Sequence, residues 1–246
     1  MTSPMIAALD ATERGPQMVR LRARSYELLN LAPGDRVLDA GCGTGLAVSE
    51  LTGRGFSATG ADVDEGMIAL ARSRFPDEDF QLASAEALPY DDGTFQGYRA
   101  DKVVHVLSDP ARMLAEARRV LAAGGRIVLL GQDWDNLPID ASDIPVTRKL
   151  IHARADTIAA PWAARRYRNT LLDQGFTDVA LEVHTAVITE YAALAPILAG
   201  YADAGVDAGV VDREEANVWL ADQERRGRED RFLMAFPIFV ASATAP

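Results

Sequence analysis

The sequence predicts an α/β fold built on a doubly wound, mostly parallel sheet. From residue 36 to residue 132, short apolar segments alternate with helical patterns across short connections, which is typical of a parallel sheet with helices on both faces. The strand-like segment 36–40 enters a turn with glycine at every second position, and a helical pattern begins at Leu46. A turn of this kind lies at the carboxyl end of its strand, where α/β sheets bind ligands.

Length and composition indicate one globular domain spanning residues 1–246. Hydrophobic residues make up 48% of the chain and charged residues 25%, which is ordinary for a folded domain. No apolar segment reaches the roughly 18 residues of a membrane span, and residues 1–10 lack a basic segment before an apolar core. We therefore expect a cytoplasmic protein that neither spans a membrane nor is exported.

The net charge and the single cysteine restrict the classes of partner and ligand that this chain can bind. The formal net charge of −11 argues against nucleic acid as a partner, because binding to a phosphate backbone depends on clustered Lys and Arg. The single cysteine, Cys42, cannot form an internal disulfide, and the three histidines are scattered, so the sequence predicts no metal site. Within the glycine turn, Cys42 is expected to serve as a small residue.

The predicted elements follow in the order that this fold requires. A helical pattern at residues 17–30 ends at Pro33-Gly34 and precedes the first strand at 36–40. Further strands are expected at 56–61, 80–82, 95–100 and 127–130, with helices at 46–52, 65–75 and 110–121 between them.

The pattern changes after Gln132. Residues 134–145 are rich in Asp and Pro and predict a loop. The elements expected beyond it are helices at 147–159 and 163–174, a strand at 177–187, helices at 191–201 and 213–225, and a last strand at 232–241. Pro237 cannot donate to a sheet ladder, so it predicts a bulge or an edge within that last strand.

Two insertions are expected to cover the substrate. The helical insertion of roughly forty residues between the last two strands is longer than a usual connection, which favours a functional element such as a lid. We therefore predict cap or lid segments at residues 134–160 and 187–229. A lid that excludes water favours a small organic substrate over a macromolecule.

The glycine spacing bears on the class of cofactor. A nicotinamide dinucleotide site has the spacing G-x-G-x-x-G, with the third glycine one turn into the helix. Here Gly41, Gly43 and Gly45 give the tighter spacing G-x-G-x-G. This spacing argues against an NAD(P)-dependent oxidoreductase, which stays an alternative.

Further residues occur in the order expected of a nucleoside site. Asp39 directly precedes the glycines, and Asp62 ends the second strand, where a carboxylate can accept hydrogen bonds from ribose hydroxyls. Val63 and Met67 are apolar groups suited to pack on an adenine face. The segment Ser84-Ala85-Glu86 follows the third strand.

With its motifs at residues 37–45, 60–62 and 85–95, the chain resembles the class I S-adenosylmethionine-dependent methyltransferases. Within them it is most similar to the small-molecule group related to the ubiquinone/menaquinone methyltransferases. The resemblance implies a Rossmann-like, seven-stranded sheet with an antiparallel last strand and a cofactor-binding core at 36–133. It also implies S-adenosylmethionine as cofactor, S-adenosylhomocysteine as product, and a helix at 10–30 that covers the cofactor.

The resemblance implies roles for the adenosine end of the site. The glycine loop 41–45 would pack on the methionine and ribose portions, Asp62 would bind the ribose, and Val63 would line the adenine. Family members usually carry Asp where this chain has Ser84, which is shorter and neutral. The backbone of Ala85, next to Glu86, can still reach the ring.

The resemblance also implies roles at the methionine end. The segment after the fourth strand, which includes Arg99 and Ala100, would form the floor beneath this portion of the cofactor. One arginine of the first helix would pair with the methionine carboxylate, and the sequence leaves the choice open among Arg20, Arg22 and Arg24.

Candidate residues for the methyl acceptor follow the fourth and fifth strands. His105 is the best candidate for a base, needed only if the acceptor is a hydroxyl or a protonated amine, and a structural histidine is the alternative. Asp133 could orient or deprotonate the acceptor, and Trp134 could stack on a flat one. His152 and Tyr191 could line the cap. Packing and surface roles stay open for all of them.

Other polar residues fit structural roles better. His184 lies within the sixth strand, and Arg165, Arg166 and Arg168 fit a solvated helix face better than an anionic acceptor. The leading hypothesis is a methyltransferase acting on O, N or C of a small metabolite. A non-catalytic S-adenosylmethionine-binding protein stays an alternative, and the lid helices could instead serve a homodimer.

Overall fold

In the computed structural model, which describes residues 14–246, seven strands form one sheet. They are β1 (Arg36–Ala40), β2 (Ser57–Asp62), β3 (Asp79–Leu82), β4 (Phe95–Asp101), β5 (Leu121–Gln132), β6 (Thr177–Ile188) and β7 (Met234–Thr244). Their order is β3-β2-β1-β4-β5-β7-β6. The first five strands are parallel to one another, and β7 is antiparallel to both neighbours. The predicted fold class is confirmed.

Helices connect the strands. They are α1 (Pro16–Leu29), α2 (Leu46–Thr52), α3 (Glu65–Arg74), α4 (Pro110–Val120), α5 (Ile144–Asp156), α6 (Ala163–Asp173), α7 (Tyr191–Asp207) and α8 (Arg213–Arg228), with a 3-10 turn at Val104–Val106. Positions 10–13 of the expected first helix lie outside the described residues. No helix within residues 14–246 is long and apolar enough to cross a bilayer.

The start of α5 and the end of α7 differ from the expected positions. Helix α5 begins at Ile144 because the side chain of Asp143 accepts a hydrogen bond from the Val146 backbone N–H, which caps the helix at a place where composition indicates a loop. Helix α7 continues to Asp207, although Pro196 lies inside it. Its buried side chains, such as Tyr201, pack against apolar residues of α5 and α8, and this tertiary contact outweighs the local helix-breaking tendency of Pro196.

The hydrophobic core has two layers on the sheet and a third beneath the insertions. Apolar residues of α1, α2 and α3 pack on one face, and those of α4 and α6 pack on the other. The third cluster joins residues 137–151 to residues 194–219 and to Phe232 and Met234. The segments 134–160 and 187–229 thus share one apolar core, which we call the cap cluster.

Pro237 lies at a local edge. The pairing of β5 with β7 ends at Gln132 and Ile238, whereas β6 continues past this point and Thr185 pairs with Pro237. At Pro237, β7 therefore has a strand neighbour on one side only, so the missing N–H is tolerated without a bulge at this position.

Candidate functional site

The glycine loop leaves open space in front of its middle residue. Gly41, Gly43 and Gly45 all have positive φ, at 72°, 52° and 85°. A Cβ atom at Gly41 would lie 2.1 Å from a methyl carbon of Val103, and one at Gly45 would lie 2.6 Å from the ring of Phe80. At Gly43 a Cβ would meet nothing within 4 Å. Gly41 and Gly45 are therefore fixed by protein packing, whereas Gly43 faces open space.

Asp62 fixes the loop from the end of β2. One carboxylate oxygen accepts from the Gly43 N–H at 2.9 Å, and the other accepts from the Asp64 N–H at 2.9 Å. Each carboxylate oxygen has two lone pairs, so both retain capacity to accept from ligand hydroxyls. Asp62 therefore shapes the loop and keeps acceptor capacity for a ligand hydroxyl.

Apolar and polar groups flank this carboxylate. The side chain of Val63 is 68% exposed although it is apolar, and Met67 is half-buried one turn into α3. After β3, the Ser84 hydroxyl accepts from the Glu86 N–H at 3.1 Å, and Ala85 is buried. These segments lie at the carboxyl ends of neighbouring strands, as the sequence predicts.

Arg99 is buried beneath the site rather than lining it with its charge. Its guanidinium donates to Asp39 at 2.7 Å, to Asp101 at 2.8 Å and to the Ser25 hydroxyl at 2.9 Å. Burial raises the pKa of Asp39, while Arg99 opposes this shift by pairing with the charged form. This network ties the ends of β1 and β4 to α1, so Arg99 and Asp39 hold these strand ends in place.

The arginines of α1 are engaged mainly within the protein. Arg22 forms a bidentate pair with Glu50 at 2.8 Å, and this pairing lowers the pKa of Glu50. Arg24 pairs with Glu182 of β6 and with Glu27. Arg20 is exposed and forms no ion pair within residues 14–246. Of the three candidates for a carboxylate partner, Arg20 is the one left available.

His105 lies beside the glycine loop. The side chain of Val103 packs on Gly41, which brings the 3-10 turn with His105 against the loop. His105 is 9% exposed, and its Nδ1 has no hydrogen-bond partner within residues 14–246. Burial, together with the charges of Lys102 and Arg154, lowers the pKa of His105 to about 4. The imidazole is therefore neutral at neutral pH.

Asp133 does not offer a free carboxylate. It is 1% exposed and forms a bidentate ion pair with Arg165 of α6, whose Nη2 lies 2.7 Å from Oδ1. Both oxygens accept from Arg165, so the pair joins the end of β5 to α6. A role of Asp133 in orienting or deprotonating an acceptor stays a prediction.

The other candidate residues for the acceptor, Trp134, His152 and Tyr191, lie in different surroundings. Trp134 is half-buried, and its ring centroid lies 5.4 Å from that of His105. The side chain of His152 is 60% exposed, and its Nε2 lies 3.6 Å from Asp135. Tyr191 packs edge-on against Phe232 within the cap cluster. Of these three, the structure brings only Trp134 into contact with His105.

Two groups around Trp134 have no sequence pattern that predicts a site. Arg154 lies over the Trp134 ring, with 5.5 Å between its Cζ and the ring centroid. The Tyr201 hydroxyl is buried without a partner within the described residues. Both belong to helices of the insertions, and only the folding of α5 against α7 brings them close to the sheet.

Tyr98 and Lys102 have the Tyr-x-x-x-Lys spacing, which would support the oxidoreductase alternative if the two side chains faced one site. The structure does not bring them together in this way. Tyr98 is fully buried in the core, and burial raises the pKa of its hydroxyl. Lys102 pairs with Asp101 at 3.1 Å. Residues 14–246 also contain no group of three or more potential ligands placed to hold a metal ion.

Known proteins match both the core and the fold. Residues 38–129 match the family model described as a methyltransferase domain. An uncharacterised 37.1 kDa protein in transposon TN4556 of Streptomyces fradiae is 33% identical over 80% of this chain and 61% of its own length. The demethylmenaquinone methyltransferase of Renibacterium salmoninarum is 32% identical over 46% of this chain and 48% of its own length.

A solved structure shares the fold. Geranyl diphosphate C-methyltransferase from Streptomyces coelicolor A3(2), solved with Mg²⁺, geranyl diphosphate and S-adenosylhomocysteine, has a TM-score of 0.58 and 16% identity. The match covers 93% of this chain and 79% of that chain. At this identity the likeness shows the fold.

The comparisons confirm the resemblance to class I S-adenosylmethionine-dependent methyltransferases. The matched family model covers residues 38–129. The chain spans about half to three fifths of the length of the two curated relatives described above.

Proposed function

We propose that this chain, which carries a class I methyltransferase domain, transfers a methyl group from S-adenosylmethionine to a small organic acceptor. The observation that carries the proposal is the open space in front of Gly43, next to the Asp62 carboxylate, inside the segment that matches the domain. Relatives that bear methyltransferase names support the reaction class.

The residues around the loop fit this cofactor. Asp62 would accept from the ribose hydroxyls, and the exposed Val63 would be covered by the adenine. The backbone at Gly43 would approach the ligand closely because no side chain intervenes. Arg20 would pair with the methionine carboxylate. When bound, S-adenosylmethionine supplies a methyl group on a positively charged sulfur, which a nucleophile attacks in line.

The chain itself would contribute mainly alignment. Trp134 and His105 would line the approach of the acceptor, which is supported by their mutual contact and by the packing of Val103 on Gly41. Holding two reactants in line can supply a large share of the lowering of a barrier. The neutral His105 would orient a hydroxyl, and its lowered pKa makes it a weak base. The cap cluster would exclude water.

Isothermal titration with S-adenosylmethionine and, separately, with NAD tests the cofactor. We expect heat of binding with S-adenosylmethionine only. Heat with NAD alone, or with neither compound, would contradict the proposal and favour the oxidoreductase alternative or a different ligand.

Turnover of methyl-labelled cofactor over a panel of hydroxyl, amine and carbon acceptors tests the reaction. Label transfer to one of these classes is expected, and binding without transfer to any of them would favour a non-catalytic binding protein. Cytoplasmic location and homodimerisation stay predictions, which cell fractionation and size-exclusion chromatography check.

A further inference from the structure

Four side chains from separate parts of the chain meet where the cap joins the sheet. His105 follows β4, Trp134 follows β5, and Arg154 and Tyr201 come from α5 and α7. The Trp134 ring lies near two of the others, with the His105 ring at 5.4 Å and the Arg154 guanidinium at 5.5 Å. Tyr201 belongs to the apolar cluster on which Trp134 packs, and the charge of Arg154 acts on its hydroxyl. We call these four residues the junction cluster.

Three polar atoms of the junction cluster have no partner within residues 14–246. They are Nδ1 of His105, Nε1 of Trp134 and the hydroxyl of Tyr201, and each is buried. Buried polar groups in folded proteins are almost always hydrogen-bonded. Three such atoms without a partner in one cluster indicate that a ligand or ordered water binds there. His105 and Tyr201 are 9% and 0% exposed, so solvent at the surface does not serve them.

Arg154 brings a positive charge that the protein does not neutralise locally. Its guanidinium donates to the Thr157 hydroxyl and forms no ion pair with a carboxylate of residues 14–246. The neighbouring acidic groups are occupied, since Asp133 and Asp135 pair with Arg165, and Asp101 pairs with Arg99 and Lys102. An anion that enters this junction would therefore find Arg154 available.

The junction cluster also lies close to the position proposed for the cofactor. Val103 packs on Gly41 of the glycine loop, and His105 is two residues further along the chain. A molecule stacked on Trp134 would thus lie beside the loop, on the side of the cap. This is the place that a methyl acceptor has to occupy.

We propose that the junction cluster binds the methyl acceptor as a flat oxyanion, such as a phenolate or an enolate. In this arrangement Trp134 stacks on the ring, Arg154 pairs with the negative charge, and His105 and Tyr201 hydrogen-bond to the oxygens. This inference rests on the proposed methyltransferase function and names the class of its acceptor.

The neutral state of His105 agrees with such an acceptor. With a pKa of about 4, this imidazole is a weak proton acceptor at neutral pH. An acceptor that arrives as an oxyanion has no proton to lose in the transfer. The site therefore needs a cation that keeps the acceptor ionised more than it needs a base, and Arg154 supplies that cation.

The test uses 4-nitrophenol, whose ionised form absorbs visible light and whose neutral form does not. The probe is titrated with pH in the presence of the 246-residue chain saturated with S-adenosylhomocysteine, and 4-nitroanisole serves as the uncharged analogue. We expect the protein to favour the phenolate over the phenol by about tenfold, which lowers the apparent pKa of the bound probe by about one unit. We also expect 4-nitroanisole to bind more weakly than the phenolate.

Matched variants identify the source of the effect. Arg154→Gln should abolish the shift and Arg154→Lys should retain part of it, since lysine keeps the charge. Arg166→Gln should leave it unchanged, because Arg166 stacks on Trp162 at a similar distance of 5.6 Å but lies outside the junction cluster. Melting temperature and titration with S-adenosylmethionine confirm that each variant is folded.

Three results would overturn the inference: no binding of the probe at millimolar concentration, an unshifted titration in the native protein, or a full shift in Arg154→Gln. Because each preparation is also titrated with S-adenosylmethionine before S-adenosylhomocysteine is added, failure of the acceptor site is distinguishable from failure of the proposed function. Loss of cofactor binding in the native protein would instead refute the proposed function.

Discussion

Gly43 combines a left-handed backbone angle with open space in front of its Cα. A methyl group added there would meet no protein atom within 4 Å, so it would project into the space proposed for the ligand. Gly43→Ala should therefore weaken S-adenosylmethionine binding at least about tenfold. The strained φ should lower the free energy of unfolding by only about 1 kcal/mol.

Gly34→Ala is the matched control for this substitution. Gly34 also has a positive φ, of 87°, and a Cβ there would meet nothing within 4 Å, but it lies in the turn before β1. Its variant should lose similar stability and keep native affinity in isothermal titration. If Gly43→Ala binds the cofactor as tightly as the native protein, the cofactor does not approach this loop.

His105 should make the protein less stable in acid. Its pKa is lowered from 6.5 to about 4, chiefly by burial, so the unfolded chain binds more protons between these two values. The lowered pKa of His105 has no effect on the free energy of unfolding above pH 6.5. Below that value it lowers this free energy progressively as the pH decreases toward 4. His105→Gln should reduce the loss of unfolding free energy between pH 7 and pH 5 by about 2 kcal/mol.

Urea unfolding at the two pH values measures this difference. His152→Gln is the control, because the side chain of His152 is 60% exposed and makes no buried contact of this kind. An identical pH dependence in the native protein and His105→Gln would mean that the imidazole is protonated at its ordinary pKa in the folded state.

The joint between β5 and α6 depends on one ion pair. Asp133→Asn and Arg165→Gln should each lower the free energy of unfolding by about 1–2 kcal/mol, a value reduced because the Arg165 side chain is 42% exposed. The double variant should lose little more than either single variant, as expected for coupled residues. Cofactor affinity should stay native.

Activity distinguishes this structural role from catalysis. If Asp133 positions α6, the two single variants should change turnover by similar factors. A large loss of turnover in Asp133→Asn alone, with Arg165→Gln near native, would support Asp133 as a base.

Within the cap, one buried hydrogen bond joins α8 to α5. The Thr147 hydroxyl accepts from Trp219 Nε1 at 2.9 Å and donates to the Asp143 carbonyl. Thr147→Val leaves the buried indole N–H without an acceptor, so we expect a loss of about 1–3 kcal/mol in thermal or urea unfolding. Thr170→Val in α6 removes a similar bond to a carbonyl four residues earlier, but at an exposed position, and should be nearly neutral. Equal losses in both variants would show that the Trp219 contact contributes nothing.

The elements of the core could be predicted because their signals are local. The glycine spacing, the carboxylate after β2 and the apolar strands all lie within a few residues of one another, and the sheet edge brings them together. Ion pairs such as Arg22 with Glu50 and Arg165 with Asp133 join residues about 30 positions apart. No periodicity in the chain signals such pairs, so the ion pair of Asp133 could not be predicted from the sequence.

The junction cluster, too, could be predicted from the sequence only in part. His105 and Trp134 follow strands, so their place at the sheet edge is predictable from topology. Arg154 and Tyr201 lie on helices whose composition indicates only an amphipathic or apolar face. Their role depends on how α5 packs on α7, and this packing is a tertiary property.

At the scale of the whole molecule, cofactor binding should stabilise the folded state. S-adenosylhomocysteine at about 100 times its dissociation constant adds about 2.7 kcal/mol. For a chain of this length the melting temperature should then rise by roughly 5–10 °C. NAD should produce no rise, and S-adenosylhomocysteine at the same concentration should raise the melting temperature of Gly43→Ala by at most about half as much as that of the native protein. A rise with NAD alone would point to a different nucleotide.

The shared core of the cap has a consequence for building chimeras between relatives of this chain. Arg226 of α8 pairs with Asp140, and Trp219 bonds to Thr147, so residues 134–160 and 187–229 form one packing unit although α6 and β6 separate them in the chain. Transplanting one segment alone would place mismatched apolar surfaces face to face. A graft that carries both segments together keeps the apolar contacts between them. Acceptor preference should therefore be transferred to a relative only when both segments are exchanged at once.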